Sequence, residues 1–277
     1  MIEKVRLVIC DIDSTLVTTV KRELTPKTKE VIDRLHKHGV YFGIASGRSI
    51  DQQLSKNAKE WGFDYEFDVL IGMNGSELWD GINNKRYDYY KLKKEWMKEI
   101  IELMEPFHLN PFLYYKGKML CQRVDDLTRK SSKKNRTDIT VAKDISEMYA
   151  EENAKIMFRT PEAMMDEVEE YVNQHPSPYY KAFKTQTTML EFADKRVNKA
   201  LALQHFCDMN QIPVDQIMSF GDMNNDNEML QYSGWGVCMI NGSDETKAIA
   251  KDITTKSNDE DGFAIYMEKN YLNKMGW

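Results

Sequence analysis

Several features are missing from this sequence of 277 residues, and each absence excludes a class of protein. No apolar stretch approaches the roughly 20 residues that a membrane-spanning helix needs. The amino terminus reaches Asp11 too soon for a secretory signal peptide. The 4 cysteines form no Cys-x-x-Cys pair, and the 5 histidines share no metal-ligand spacing with nearby cysteines. We therefore expect a cytoplasmic protein that does not act at a membrane.

A basic excess is also missing. The 38 lysines and arginines are outnumbered by 44 acidic residues, which gives a net charge of −6. Nucleic-acid binding favours a basic surface, so we expect no nucleic-acid partner. There is no internal repeat and no low-complexity linker. The chain is long for one hydrophobic core and suits two domains.

What is present begins with an alternation of strand and helix patterns. Residues 5–10, 40–45 and 68–71 are apolar runs typical of buried strands. Between the first two, Thr25-Pro26 has the pattern of a helix N-cap followed by a first-turn proline. This order predicts a parallel sheet with right-handed crossovers.

Hairpin patterns with interspersed helices then predict an α+β insertion, and the α/β pattern returns near the end of the chain. We predict a core made of residues 1–83 and 188–277 and an inserted domain of residues 84–187. An insertion of about 100 residues is an ordinary domain size.

Asp11 and Asp13 stand where the first predicted strand ends. Burial disfavours ionised carboxylates, and each carboxylate raises the pKa of the other, so the pair costs stability unless a cation binds there. The pair therefore indicates a site. Two turn residues that cap the next helix are the alternative.

Three other groups of polar residues follow predicted core strands or open core helices. Ser46-Gly47-Arg48 has the composition of an anion-binding turn. Asp222 and Asp226 are one helical turn apart and offer hard oxygen ligands that suit Mg²⁺. Lys199 opens a predicted helix, where its ammonium group can neutralise phosphate oxygens. Each group has an alternative interpretation. Ser46-Gly47-Arg48 would be an ordinary loop, Asp222 and Asp226 would be the acidic first turn of a helix, and Lys199 would be a surface lysine.

In chain order, these residues resemble the motifs of the haloacid dehalogenase (HAD) superfamily of phosphohydrolases. Asp11-Ile12-Asp13-Ser14-Thr15 is similar to motif I and Ser46 to motif II. Lys199 is similar to motif III, and Gly221-Asp222-Met223-Asn224-Asn225-Asp226 to motif IV. The insertion resembles that of the Cof-type branch, subfamily IIB. The resemblance implies a Rossmann-like parallel-sheet core with an inserted α+β cap of the C2B type.

The resemblance also implies a Mg²⁺-dependent phosphatase that hydrolyses small phosphomonoesters, such as sugar phosphates or cofactor-like phosphates, through an aspartyl phosphate. Asp11 is the implied nucleophile, and Asp13 the general acid and base. Mg²⁺ is expected on Asp11, Asp13 and Asp222, with Asp226 behind them or bound through water. The other implied roles are phosphate binding by Ile12, Ser46, Gly47 and the catalytic Lys199, and support of the loop or the substrate by Thr15, Arg48 and Asn225.

Several positions depart from the family pattern, and two of these departures bear on the expected site. Ser14 stands where motif I most often has glycine, and a small side chain should still let the backbone approach a phosphate. Ile240 replaces another frequent glycine, so Asn241 is left out of the expected site.

Two other functions stay open. A phosphomutase with the same core and cap would return the phosphoryl group to another hydroxyl. A non-catalytic phosphate-binding or receiver protein would bind phosphate without hydrolysing a phosphoester. The basic run 129–136 is expected to form a solvated loop, with contact to a second anionic group of a substrate as the alternative.

Overall fold

The computed structural model describes residues 4–135 and 137–277, and they form two compact units. The core unit comprises the residues up to Tyr89 together with Asn198–Trp277, and the inserted unit is Tyr90–Val197. The observed boundaries, after residues 89 and 197, lie later in the chain than the predicted ones, after residues 83 and 187. The reason is strand pairing, because Lys85–Asp88 pairs with a core strand and Met189–Asp194 pairs within the inserted unit.

The core unit is built on an eight-stranded sheet. With strands numbered in chain order over both units, its members are β1 (Leu7–Cys10), β2 (Tyr41–Ala45), β3 (Val69–Gly72), β4 (Glu77–Asp80), β5 (Lys85–Asp88), β12 (Ile217–Gly221), β13 (Trp235–Cys238) and β14 (Asp252–Ile253). Their order across the sheet is β14-β13-β12-β1-β2-β3-β4-β5. The six strands from β14 to β3 are parallel, and β4 and β5 form an antiparallel edge.

Both faces of this sheet are apolar, as a parallel sheet covered by helices requires. In β1, Val8 and Cys10 belong to the hydrophobic cluster on one face, and Leu7 and Ile9 to the cluster on the other. The α-helices of the unit are α1 (Pro26–Lys37), α2 (Ser55–Glu60), α6 (Lys199–Met209), α7 (Asn227–Tyr232), α8 (Asp244–Ile249), α9 (Gly262–Met267) and α10 (Asn273–Met275). As the sequence predicts, Thr25 caps α1, with its Oγ1 accepting the amide hydrogen of Thr28 (3.1 Å).

The inserted unit contains a six-stranded mixed sheet with the order β10-β11-β9-β6-β7-β8. Its strands are β6 (Pro111–Tyr115), β7 (Lys118–Cys121), β8 (Ile139–Val141), β9 (Lys155–Arg159), β10 (Tyr180–Gln186) and β11 (Met189–Asp194), and its α-helices are α3 (Lys94–Leu103), α4 (Asp126–Asn135) and α5 (Met165–Gln174). Residues of α3 and α5 share one hydrophobic cluster with the sheet. The parallel core sheet and this second sheet confirm the predicted fold class.

The basic run was predicted to be a solvated loop, and this is wrong for most of its length, because it lies in α4. Arg129, Lys130 and Lys133 are exposed, whereas Thr128 and Ser131 are buried. Residue 136 lies outside the described residues. No helix of the described ranges is both long and apolar enough to cross a membrane.

Candidate active site

The carboxyl ends of the central strands bring the predicted motifs to one edge of the core sheet. Cys10 of β1 is in register with Phe220 of β12 and with Ile44 of β2. Asp11 follows β1, and its amide donates to the Phe220 carbonyl (2.9 Å). Asp222 follows β12 directly. Parallel strands in register therefore carry their first loop residues to the same side.

Three carboxylates and one ammonium group form the centre of this edge. One carboxylate oxygen from each of Asp11, Asp222 and Asp226 lies within 4.8 Å of the others, and all three residues are buried. Lys199, at the start of α6, is 0% exposed. Its Nζ lies 2.6 Å from Asp11 Oδ1 and 2.5 Å from Asp226 Oδ1. The lysine predicted from its place at a helix start is thus a buried partner of two acids.

The charges in this cluster do not balance. Burial raises the pKa of Asp11, and the lowering effect of Lys199 does not reverse this. Burial also raises the pKa of Asp222, with further contributions from the carboxylates of Asp11 and Asp226. The pKa of Lys199 is raised despite its burial, because Asp11 and Asp226 favour the charged ammonium. One cation among three acids leaves two negative charges uncompensated when all are ionised.

This imbalance and the donor set fit a divalent cation. Asp226 already uses both oxygens, since Oδ1 bonds Lys199 and Oδ2 accepts the amide hydrogens of Asp222 (3.0 Å) and Met223 (3.1 Å). Among the described residues, the Asp222 carboxylate accepts one hydrogen bond, from Thr15 Oγ1 to Oδ1 (2.9 Å). Carboxylates are the hard oxygen ligands that Mg²⁺ prefers. The cluster can hold a metal ion, with Asp11 and Asp222 better placed than Asp226 to bind it directly.

Asp13 behaves differently from its neighbour: it raises the pKa of Asp11, as expected, but its own pKa is lowered overall. Arg48 Nη2 lies 2.7 Å from both Asp13 oxygens, and Arg22 forms a second ion pair with Oδ1. Burial alone would raise the pKa of Asp13, but the guanidinium groups of Arg48 and Arg22 outweigh it and hold the pKa below its ordinary value. Asp13 is therefore an ionised carboxylate between two arginines.

The turn after β2 is held by a residue that follows β3. Asn74, buried and in the left-handed region at φ 56°, donates its amide hydrogen to the Ser46 carbonyl (3.0 Å). A Cβ atom at Gly47 would lie 3.3 Å from Asn74 Oδ1, so glycine allows this close approach. Asn225 was expected to hold Lys199 or the loop, and its Nδ2 donates to Asn74 Oδ1 (3.3 Å).

The remaining predicted residues lie around motif I. The Ile12 side chain is buried in the core, so only its backbone can face a ligand. Ser14 adopts a left-handed conformation at φ 61°. Asn241, which was left out of the expected site, donates through Nδ2 to the Ser14 carbonyl (2.8 Å).

Two residues of the edge were not predicted. Arg22 belongs to no motif, and only the chain path brings it to Asp13. Asn74 forms an Asn-Gly pair after a strand, which is also an ordinary turn sequence. The sequence contained no signal for Arg22 and an ambiguous one for Asn74.

Comparison with known proteins identifies the family. Residues 8–267 match the haloacid dehalogenase-like hydrolases. The chain belongs to this family. The family predicted from the motifs is thus confirmed, and the chain is a hydrolase.

Its relatives match over nearly the full length. The 5-amino-6-(5-phospho-D-ribitylamino)uracil phosphatase YitU of Bacillus subtilis (strain 168) is 25% identical over 277 residues, which cover 96% of this chain and 97% of the relative. A haloacid dehalogenase-like hydrolase from Bacteroides thetaiotaomicron has the same fold, with a TM-score of 0.81, 24% identity and coverage of 97% and 100% of the two chains. The subclass IIB sugar phosphatase BT4131 also shares the fold, with a TM-score of 0.81, 21% identity and coverage of 95% and 98%.

Proposed function

We propose that this hydrolase is a Mg²⁺-dependent phosphatase that cleaves small phosphomonoesters through an aspartyl phosphate on Asp11. The observation that carries the proposal is the buried cluster of Asp11, Asp222 and Asp226 around Lys199. A phosphatase needs a nucleophile, a cation site and a second acid–base group, and the core unit supplies candidates for all three. The names of the relatives, which include a phosphatase and a sugar phosphatase, support the reaction class.

Asp11 would attack the phosphorus atom. Lys199 holds Asp11 Oδ1, which leaves Oδ2 as the oxygen that forms the new bond. When the phosphorus–ester oxygen bond breaks, the leaving oxygen takes a proton from Asp13. Water then attacks the aspartyl phosphate, gives its proton to Asp13, and regenerates the Asp11 carboxylate.

Asp11, the Asp13 backbone carbonyl and Asp222 would hold Mg²⁺, with Asp226 behind them. When bound, the ion supplies positive charge that offsets the charge on the phosphoryl oxygens. Asp226 would act by fixing Lys199 and the backbone at Asp222, because both of its oxygens are engaged there.

Arg22 and Arg48 affect the two proposed roles of Asp13, as a base and as an acid, in different ways. As a base Asp13 must be ionised, and Arg22 and Arg48 favour that form. As an acid it must first gain a proton against their influence, and its lowered pKa then makes it a strong proton donor. Arg48 would also be available to a substrate once its bond to Asp13 loosens.

Ser46, the amides near Ile12 and Gly47, and Lys199 would bind the phosphoryl oxygens. Thr15 would support the metal ligand Asp222, since it donates to that carboxylate. Asn225 would keep the Ser46–Gly47 turn in place through Asn74. The substrate would be a small phosphorylated metabolite, such as a sugar phosphate or a cofactor-like phosphate.

The test is phosphate release from p-nitrophenyl phosphate with Mg²⁺ and with EDTA. We expect release that needs Mg²⁺ and falls on the order of 10⁴-fold or more in Asp11→Asn, because the nucleophile is lost while the fold stays intact. Asp244→Asn is the matched control, since its carboxylate is fully exposed. Normal turnover in Asp11→Asn would refute the proposal. Isomerised product without free phosphate would instead support a phosphomutase.

A further inference from the structure

The inserted unit contains a buried arginine without an acidic partner. Arg159, the last residue of β9, is 6% exposed. Its Nε donates to Ser131 Oγ (2.8 Å), and its Nη1 donates to Gln186 Oε1 (3.1 Å) and Thr188 Oγ1 (3.0 Å). All these partners are neutral. In residues 4–135 and 137–277, no carboxylate lies within 4.0 Å of this guanidinium group.

The acid that favours the charged form of Arg159, Glu191, already has other partners. In the register of the neighbouring strands, Glu191 stands opposite Met157, between the positions of Lys155 and Arg159. Glu191 Oε2 lies 2.8 Å from Lys155 Nζ, and its Oε1 accepts a hydrogen bond from Thr185 Oγ1 (2.9 Å). Lys155 and Glu191 are also more than nine-tenths buried. On β9 and β11, this sheet face therefore places the carboxylate of Glu191 between the cations Lys155 and Arg159.

An uncompensated charge at such depth is costly. Burial lowers the pKa of the Arg159 guanidinium, but an arginine keeps its proton in proteins. An anion beside the Arg159 guanidinium would lower the free-energy cost of burying its charge. The polar groups around Arg159 have the composition that such an anion requires.

These groups retain hydrogen-bond donors. Gln186 and Thr188 use their oxygens to accept from Arg159, which leaves the Gln186 side-chain amide hydrogens and the Thr188 hydroxyl hydrogen for another acceptor. Nη2 of Arg159 makes no hydrogen bond to the residues that the structure describes. Gln186 is exposed and Thr188 half-buried, so the group can be reached from solvent.

We propose that Arg159, Gln186 and Thr188 form a binding site for an oxyanion, a phosphate or carboxylate group, in the inserted unit. All three residues belong to the inserted unit, and the site does not depend on the proposed phosphatase activity. The anion is either a separate small ion or a second anionic group of a substrate, and both have the same chemistry.

The decisive variant is Gln186→Glu, which places a carboxylate of the chain itself beside Arg159. Because Gln186 is exposed, the substitution leaves the buried packing intact. We expect this variant to melt at a higher temperature than the parent in an anion-free buffer. Inorganic phosphate, titrated by calorimetry in EDTA, should bind the parent at this site and bind Gln186→Glu at least tenfold more weakly.

Arg129→Gln is the matched control, because it removes an exposed cation from α4 and should bind phosphate at this site like the parent. Arg159→Gln should lose the binding as Gln186→Glu does. Equal phosphate binding by the parent and Gln186→Glu would overturn the proposal, and so would a parent that binds no phosphate outside the core unit.

The source of the anion is distinguished by kinetics with Mg²⁺. If it is a second group of the substrate, Gln186→Glu raises the KM of fructose 1,6-bisphosphate relative to that of p-nitrophenyl phosphate. If it is a separate ion, the ratio of the two KM values does not change. Failure of the phosphatase proposal would appear as absent turnover in the parent, whereas failure of the anion site would appear in the calorimetry.

Discussion

Asp222→Asn should make the metal-free protein more stable while it removes the response to Mg²⁺. Asp222 shares a site less than 4.8 Å across with two other carboxylates. Two unit charges at that distance repel by about 3 kcal/mol at an effective dielectric constant of about 20. Lys199 offsets part of this repulsion. We therefore expect a gain of about 2 kcal/mol in the free energy of unfolding when Asp222 becomes neutral.

Addition of Mg²⁺ should stabilise the parent protein much more than it stabilises Asp222→Asn. A ligand that binds only the folded state at 100 times its Kd adds about 2.7 kcal/mol to the free energy of unfolding. Asp222→Asn should gain far less, because it lacks one of the two carboxylates best placed for the ion. The assay is urea unfolding of both proteins in EDTA and in Mg²⁺.

Asp226→Asn is the informative comparison. Asp226 bonds Lys199 and two backbone amides, so its replacement should destabilise the metal-free protein by about 3 kcal/mol. A metal-free Asp222→Asn protein that is less stable than the parent would refute the charge argument. Equal stabilisation of parent and variant by Mg²⁺ would refute the assignment of the ion to this cluster.

Three other predictions concern backbone and pH. Ser14→Gly should raise the free energy of unfolding, measured by urea unfolding, by about 1 kcal/mol, because Ser14 adopts a left-handed conformation at φ 61°. An unchanged or lower free energy of unfolding would contradict this prediction. Gly221→Ala should lower the free energy of unfolding by about 2 kcal/mol in the same assay and lower the turnover rate, since the new Cβ would lie 2.5 Å from Asp226 Cβ. Unchanged stability would contradict this prediction. Arg22→Gln should move the acidic limb of the pH profile of aspartyl-phosphate hydrolysis to higher pH, because in that step ionised Asp13 would act as the base and one of the two arginines that lower its pKa is lost. An unmoved limb would exclude Asp13 or Arg22 from this role.

The fold could be predicted where burial leaves a periodic record in the sequence. β1, β2 and β3 are continuous apolar runs because both faces of their sheet are covered. The helix α4 left no such record. Its buried positions include Thr128 and Ser131, so no apolar period marks it as a helix.

The candidate site was predictable to the extent that its residues lie next to strand ends. Asp11 and Asp222 follow β1 and β12 directly, so the topology alone brings them together. The direction of a side chain after the strand is decided by its contacts, which is why the sequence did not reveal that Asp13 meets Arg22 and Arg48. Such contacts depend on loop paths that no periodicity describes.

The chain leaves the core unit after Tyr89 and returns to it at Asn198, one residue before Lys199. On its return, Asn198 caps α6 by accepting the Leu201 amide hydrogen at its Oδ1 (2.8 Å), and a Cβ atom at Gly75 would lie 2.0 Å from the Asn198 carbonyl oxygen. Core residues therefore fix the helix start that carries the lysine. The position of Lys199 therefore rests on contacts within the core unit, so the sequence of the inserted unit can change without moving the lysine.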